Sequence, residues 1–158
     1  MARTAIQTFL YGHRREDSAA AAWPGVELIG RVMLSAIFIL SGLAKFLDWS
    51  GTAEHMTAQG LEPVNLLLPL AAVVEIVGGL AVLTGTFARI GAFALILFLI
   101  PTTFAFHDFW RFEGAARTAQ MANFFKNLGL MGGLLLVLSH GPGPWSVDNR
   151  AERRAFTR

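Results

Sequence analysis

The chain has 158 residues, of which 54% are hydrophobic and only 15% charged, with a net charge of +2 and no cysteine. One domain fits this length, but the charged fraction is well below the roughly 25% of a soluble domain, and a chain this short has no large core in which to bury segments that are apolar all round. The composition excludes disulfide, thiol-relay, iron–sulfur and Cys-type zinc chemistry within the chain, and no basic stripe interleaved with aromatics supports nucleic-acid binding.

Residues 1–22 read as a cytoplasmic tail. The basic segment HRRED is followed by SAAAA, which is no hydrophobic signal region, and no cleavage site separates it from the first apolar helix. Ile6, Phe9 and Leu10 are spaced for a short surface helix. Residues 23–140 form the expected membrane domain, with four spans. The first runs from about Val26 to Leu47, with Arg31 and Lys45 near its ends. Asp48 to Pro63 is a polar loop holding His55 and Gly60. The second span is Asn65 to Thr86, closed by a tight turn through Gly85 to Arg89. Its apolar run from Val64 to Phe87 carries one charge, Glu75, and is long enough to cross a hydrocarbon core of roughly 30 Å. The third span is Arg89 to His107, and a second loop covers Asp108 to Ala119. The fourth is Gln120 to Ser139, where His140-Gly141-Pro142-Gly143-Pro144 stops the helix. Residues 141–158 read as a second cytoplasmic tail. The fold class is therefore all-α, a four-transmembrane-helix bundle.

Basic residues set the orientation. Arg3, Arg14, Arg15, Arg31, Arg89, Arg150, Arg153, Arg154 and Arg158 fall on one side, against Lys45, Arg111, Arg117 and Lys126 on the other. This places both termini in the cytoplasm. Trp23 and Trp145 then mark the inner interface, and Trp49 and Trp110 the outer one.

Glu75 is the most expensive side chain in its span, since a charge at mid-membrane costs about 3 kcal/mol on insertion scales. Such an acid either serves a function or ties helices together. Ala71, Ala72, Gly78 and Gly79 flank it and let a neighbouring helix approach. Arg31, Ser35, Phe38, Gly42 and Lys45 share one stripe of the first span, with Ser41 beside it, and small and charged residues together mark a packed side. Gly129 and Gly133 make a GxxxG pair on the fourth. Depth along the helices selects Lys126 as the partner of Glu75, with Arg31 second and Asn123 or Asn127 adding a hydrogen bond. His107, followed by Asp108, is either a proton relay at the surface or an ordinary helix end. His55, His107, Asp108 and Glu113 have no metal-cage spacing, so no metal is expected.

Four pieces in order, GRVMLSAIFILSGLAKFLDWSGT, LAAVVEIVGGLAVLTG followed by R-x-G, HDFW and Q-M-x-N-F-F-K-N-L-G-L-M-G-G-L-L-L, resemble the DoxX family of small bacterial membrane proteins over about residues 28–148. The resemblance implies a four-helix, multi-pass protein of the bacterial cytoplasmic (inner) membrane, related to a membrane subunit of a thiosulfate:quinone oxidoreductase. Its recurring residues map to Arg31, Gly42, Lys45, Glu75, His107, Trp110, Gln120, Lys126 and Asn127. With Asn123, these are the expected ligand-binding set, and Glu75, Lys126 and His107 the candidate catalytic groups. The expected function is a membrane subunit of a redox-linked system that binds a quinone, beside a partner redox enzyme, since the chain shows no flavin, haem or metal motif of its own. The alternative is a non-enzymatic membrane anchor or assembly factor. Association into a homo-oligomer is open to either.

Overall fold

In a computed structural model the protein is described over residues 23–156. The expected tail over residues 1–22, with its surface helix, lies outside the described residues. All regular structure among those described is helical: α1 (Pro24–Leu47), α2 (Trp49–Ala58), α3 (Val64–Thr84), α4 (Ala88–Phe106), a 3₁₀ turn (Phe109–Arg111), α5 (Gly114–His140) and α6 (Val147–Phe156). Four of these, α1, α3, α4 and α5, are long and apolar enough to cross a membrane. They alternate in direction, so the start of α1 and the end of α5 share one end of the bundle, the termini end. Helix α2 and the 3₁₀ turn occupy the other. Trp23 and Trp145 are exposed at the first end, Trp49 and Trp110 at the second.

The loop expected at 48–63 is mostly helix. Asp48 caps α2, its Oδ1 accepting from Gly51 N at 3.1 Å. The helix ends in a Schellman motif: Gly60, at φ 73°, donates to Thr57 O and Leu61 N donates to Met56 O. Met56 is buried, which holds the helix against the bundle. Helix α5 also starts at Gly114, earlier than the expected Gln120.

Packing is tightest toward the termini end. Phe38, Val82, Ala92, Leu95, Leu99 and Leu134 form the buried core. Glycines bring the backbones together there: a Cβ on Gly79 would lie 2.8 Å from Ile39 Cγ1, one on Gly78 2.8 Å from Leu95 Cγ, and one on Gly91 3.0 Å from Gly78 O. Helix α3 thus lies between α1 and α4, and α5 packs mainly on α4. Of the Gly129/Gly133 pair, only Gly133 makes a close approach. Gly133 meets Leu34, but Gly129 faces open space, because α5 presents that side outward.

The segment after α5 does not leave the bundle. The buried Arg31 guanidinium holds it, donating to Trp145 O and to Leu83 O. Asp148 accepts from Phe87 N at 3.0 Å and Ala88 N at 3.1 Å, while its own N–H donates to Gly85 O. Helix α4 has Phe87 at its cap position and no capping side chain of its own. Asp148 supplies that cap from about sixty positions away in the sequence, and its carboxylate meets the positive end of α4. Asp148→Ala should therefore lower stability by about 1–2 kcal/mol, read as a shift in the unfolding midpoint of the purified protein.

Candidate functional site

The other half of the bundle is hollow. A cavity of about 770 Å³ lies among α1, α3, α4 and α5 at the α2 end. Its walls are mostly apolar, among them Ile37, Leu67, Val74, Leu97, Phe98 and Leu130. Helices α3 and α4 touch tightly near their shared turn and spread toward α2, which leaves this volume. Pro69 lies inside α3 and Pro101 inside α4, and Pro101 is part of the wall. The cavity reaches the lateral surface, where Leu70 and Leu97 line it and are 54% and 53% exposed.

At its polar end stands Glu75. Its partner is Lys45, not Lys126: Lys45 Nζ donates to Glu75 Oε2 at 2.6 Å, and the side chains are only 17% and 5% exposed. Ser41 Oγ donates to Glu75 Oε1 at 2.9 Å and accepts from Lys45 Nζ at 3.2 Å. Carboxylate, hydroxyl and ammonium thus close a three-membered network. Side-chain direction explains the choice of partner. Cα–Cβ bonds tilt toward a helix's N-terminus. Glu75 on α3 leans toward the α2 end, and Lys45 on the antiparallel α1 leans toward mid-membrane, so the two converge. Lys126 on α5 leans the same way as Glu75 and lies on a helix that packs on α4 and not beside α3. Arg31, the second expected partner, is at the termini end, bound to the carbonyls of Leu83 on α3 and of Trp145 in the returning segment. Gly42 completes the contact: its Cα faces α3 so closely that a Cβ would lie 2.6 Å from Ile76 Cγ1 and 3.2 Å from Glu75 Cβ.

Five expected site residues line this one cavity: Lys45, Glu75, His107, Lys126 and Asn127. Two more support it from behind. Gln120 Oε1 lies 2.8 Å from His107 Nδ1, and Asn123 Oδ1 accepts from Lys126 Nζ at 2.9 Å. Asn127 donates to Thr103 Oγ1 rather than to Glu75, which ties α5 to α4. Trp110 lies outside, in an aromatic cluster with Phe104, Phe109 and Phe124. The His107–Asp108 relay does not form, since Asp108 pairs with Arg111 at 2.9 Å. Nor are His55, His107, Asp108 and Glu113 gathered: among the described residues no three His, Asp or Glu side chains converge. His55 stacks on Phe106 at 5.1 Å and lines the cavity with Thr52 and Met56, so α2 forms part of its wall. Ser41 and His55 are visible in the sequence, but nothing local assigns either to this cavity. The capping Asp48 and the Gly60 stop were the available signals for α2.

The DoxX family model matches residues 26–108. The chain is 33% identical to the inner membrane protein YphA of Escherichia coli, over 82% of this chain and 93% of that protein. It is 33% identical to the inner membrane protein YqjF of the same organism, over 80% and 92%, and 29% identical to the uncharacterized membrane protein Rv3486 of Mycobacterium tuberculosis, over 87% and 93%. No solved structure matches the chain. With four spanning helices, these relatives identify a multi-pass protein of a bacterial inner membrane. Matched over more than half its length by the family model and over nearly the whole of these relatives, the chain belongs to the DoxX family.

Proposed function

We propose that this protein is the membrane subunit of a redox-linked, quinone-associated system and that the cavity holds the quinone head. The observation that carries this reading is the Glu75–Lys45–Ser41 network at the polar end of an apolar chamber open toward the lipid. A quinone site needs apolar walls and a few placed donors. The walls are present, Lys45 is the donor that faces the space, and His107 adds a ring nitrogen to it.

A bound quinone would supply two-electron chemistry, taking up one proton at each carbonyl oxygen as a partner redox enzyme delivers the electrons. This chain's own residues do the rest. Lys45 Nζ orients a carbonyl by donating a remaining N–H to it, while Ser41 Oγ, whose one proton is on Glu75, holds the carboxylate in place. Glu75, already hydrogen-bonded to both, holds a proton-exchanging carboxylate beside that position. His107, oriented through Nδ1 by Gln120, keeps Nε2 for a second contact nearer the α2 end. In this reading the termini face the cytoplasm, as the distribution of Lys and Arg indicates.

The test is a titration of the purified protein, in a neutral detergent, with a short-chain ubiquinone analogue. A saturable change in tryptophan fluorescence is expected, and its absence would rule the quinone reading out. In membranes that also contain the partner enzyme, Glu75→Gln should cut quinol formation by roughly a hundredfold at unchanged protein abundance. If activity falls only in proportion to folded protein, the network is a strut and the chain an anchor for its partner.

A further inference from the structure

Lys126 is left over by the arrangement just described. It lines the cavity and is also exposed at its rim on α5, beside the exposed apolar Phe125 and Leu128. The charge of Lys45, the other lysine in the cavity wall, is balanced by Glu75. That of Lys126 has no carboxylate within ion-pair distance among the described residues. Its hydrogen bond to Asn123 Oδ1 uses one of three N–H donors. Gln120 is level with His107 at the end of α4, so Lys126 lies about six residues, roughly 9 Å, below that end, and its stem leans back toward the α2 end, which puts this ammonium near the level of lipid head groups. A cation at that level can meet the ionised head of an acidic lipid.

We propose that Lys126 and Asn123 form a site for the ionised head of an acidic amphiphile, a phosphate- or carboxylate-headed lipid, whose chain lies along the apolar wall of the cavity. Two free N–H groups of Lys126 and the amide N–H groups of Asn123 can meet an oxyanion, and charge-assisted bonds of this kind are about twice as strong as neutral ones. The wall begins one helical turn further on at Leu130 and continues across α4 through Phe98, Leu97 and Pro101. Leu97 is half exposed, so the chain's path joins the bilayer without crossing a polar barrier. An acid on another protein's membrane helix would neutralise the same ammonium, but it would leave this wall uncovered. One amphiphile answers both features. The site goes beyond the quinone reading, because a neutral quinone brings no counter-charge to Lys126.

The test uses the full chain, delipidated in a neutral detergent and followed by native mass spectrometry and calorimetric titration. Dodecyl phosphate should bind once per chain. Lys126→Gln should weaken it at least tenfold, and Lys126→Arg should restore most of the affinity. Dodecanol should bind at least tenfold more weakly than dodecyl phosphate and be indifferent to Lys126→Gln. Equal affinity of the wild type and Lys126→Gln for dodecyl phosphate would overturn the proposal. Inorganic phosphate binding as tightly as dodecyl phosphate would overturn it too, by showing an oxyanion site without chain recognition. So would a dimer that excludes dodecyl phosphate and falls apart in Lys126→Gln, which would assign the charge to a protein partner. The Arg variant and the unfolding midpoint of each protein guard against a simple loss of fold.

Discussion

Lys45→Met should cost the membrane domain about 3–5 kcal/mol, the penalty for stranding one member of a buried ion pair. Glu75→Gln added to it should return most of that loss. The geometry makes the effect asymmetric. Glu75 is only 5% exposed and faces α1, and its short stem cannot carry the carboxylate to the α2 end once its partner is gone. Lys45 is in the last turn of α1 with a long stem, so when Glu75 alone is changed its ammonium can extend toward the α2 end. Glu75→Gln should therefore destabilise less than Lys45→Met, and the amide can keep the bond from Ser41. Equilibrium unfolding in mixed detergent and SDS, applied to the two single variants and the double, measures this directly. Equal costs for the two singles, or costs that simply add, would show that the pair is not the closed unit seen here.

Gly42→Leu should be comparably damaging by a different route. A side chain at this position meets Ile76, the Ala72 carbonyl and Glu75 Cβ before its second carbon is placed. Overpacking of a tight contact costs about 1–3 kcal/mol. Here the displaced helices also carry the ion pair, Lys45 three residues further along α1 and Glu75 at the contact itself, so their separation adds to that cost. Gly129→Leu is the matched control. Nothing lies within 4 Å of a Cβ at Gly129, and its effect should stay within about 0.5 kcal/mol. The same unfolding measurement reads both. If the two substitutions behave alike, close approach of α1 and α3 is not what Gly42 provides.

Much of this was legible in the sequence, because membrane helices write their length and polarity directly into composition. The four spans, the buried stripe of Arg31, Ser35, Phe38 and Gly42, and the gathering of Lys45, Glu75, His107, Lys126 and Asn127 in one region all follow from the cost of polar groups in hydrocarbon. The partner of Glu75 did not follow. Counting residues gives the depth of each Cα, but it ignores the opposite lean of side chains on antiparallel helices and which helices are neighbours. Helix α2 was obscured by its polar composition, although Asp48 and Gly60 bracket it. The return of residues 141–148 was hidden for another reason. His140 to Pro144 encodes where α5 stops, and nothing local encodes that Asp148 meets the backbone of Phe87 and Ala88.

That last contact bears on biosynthesis. The turn joining the second and third crossings leaves the ribosome some sixty residues before the carboxylate that fastens it, and Arg31 emerges 114 residues ahead of Trp145. Insertion must therefore proceed with this end unfastened, and the early crossings acquire their final lock only once Trp145 and Asp148 have followed the fourth crossing out of the ribosome.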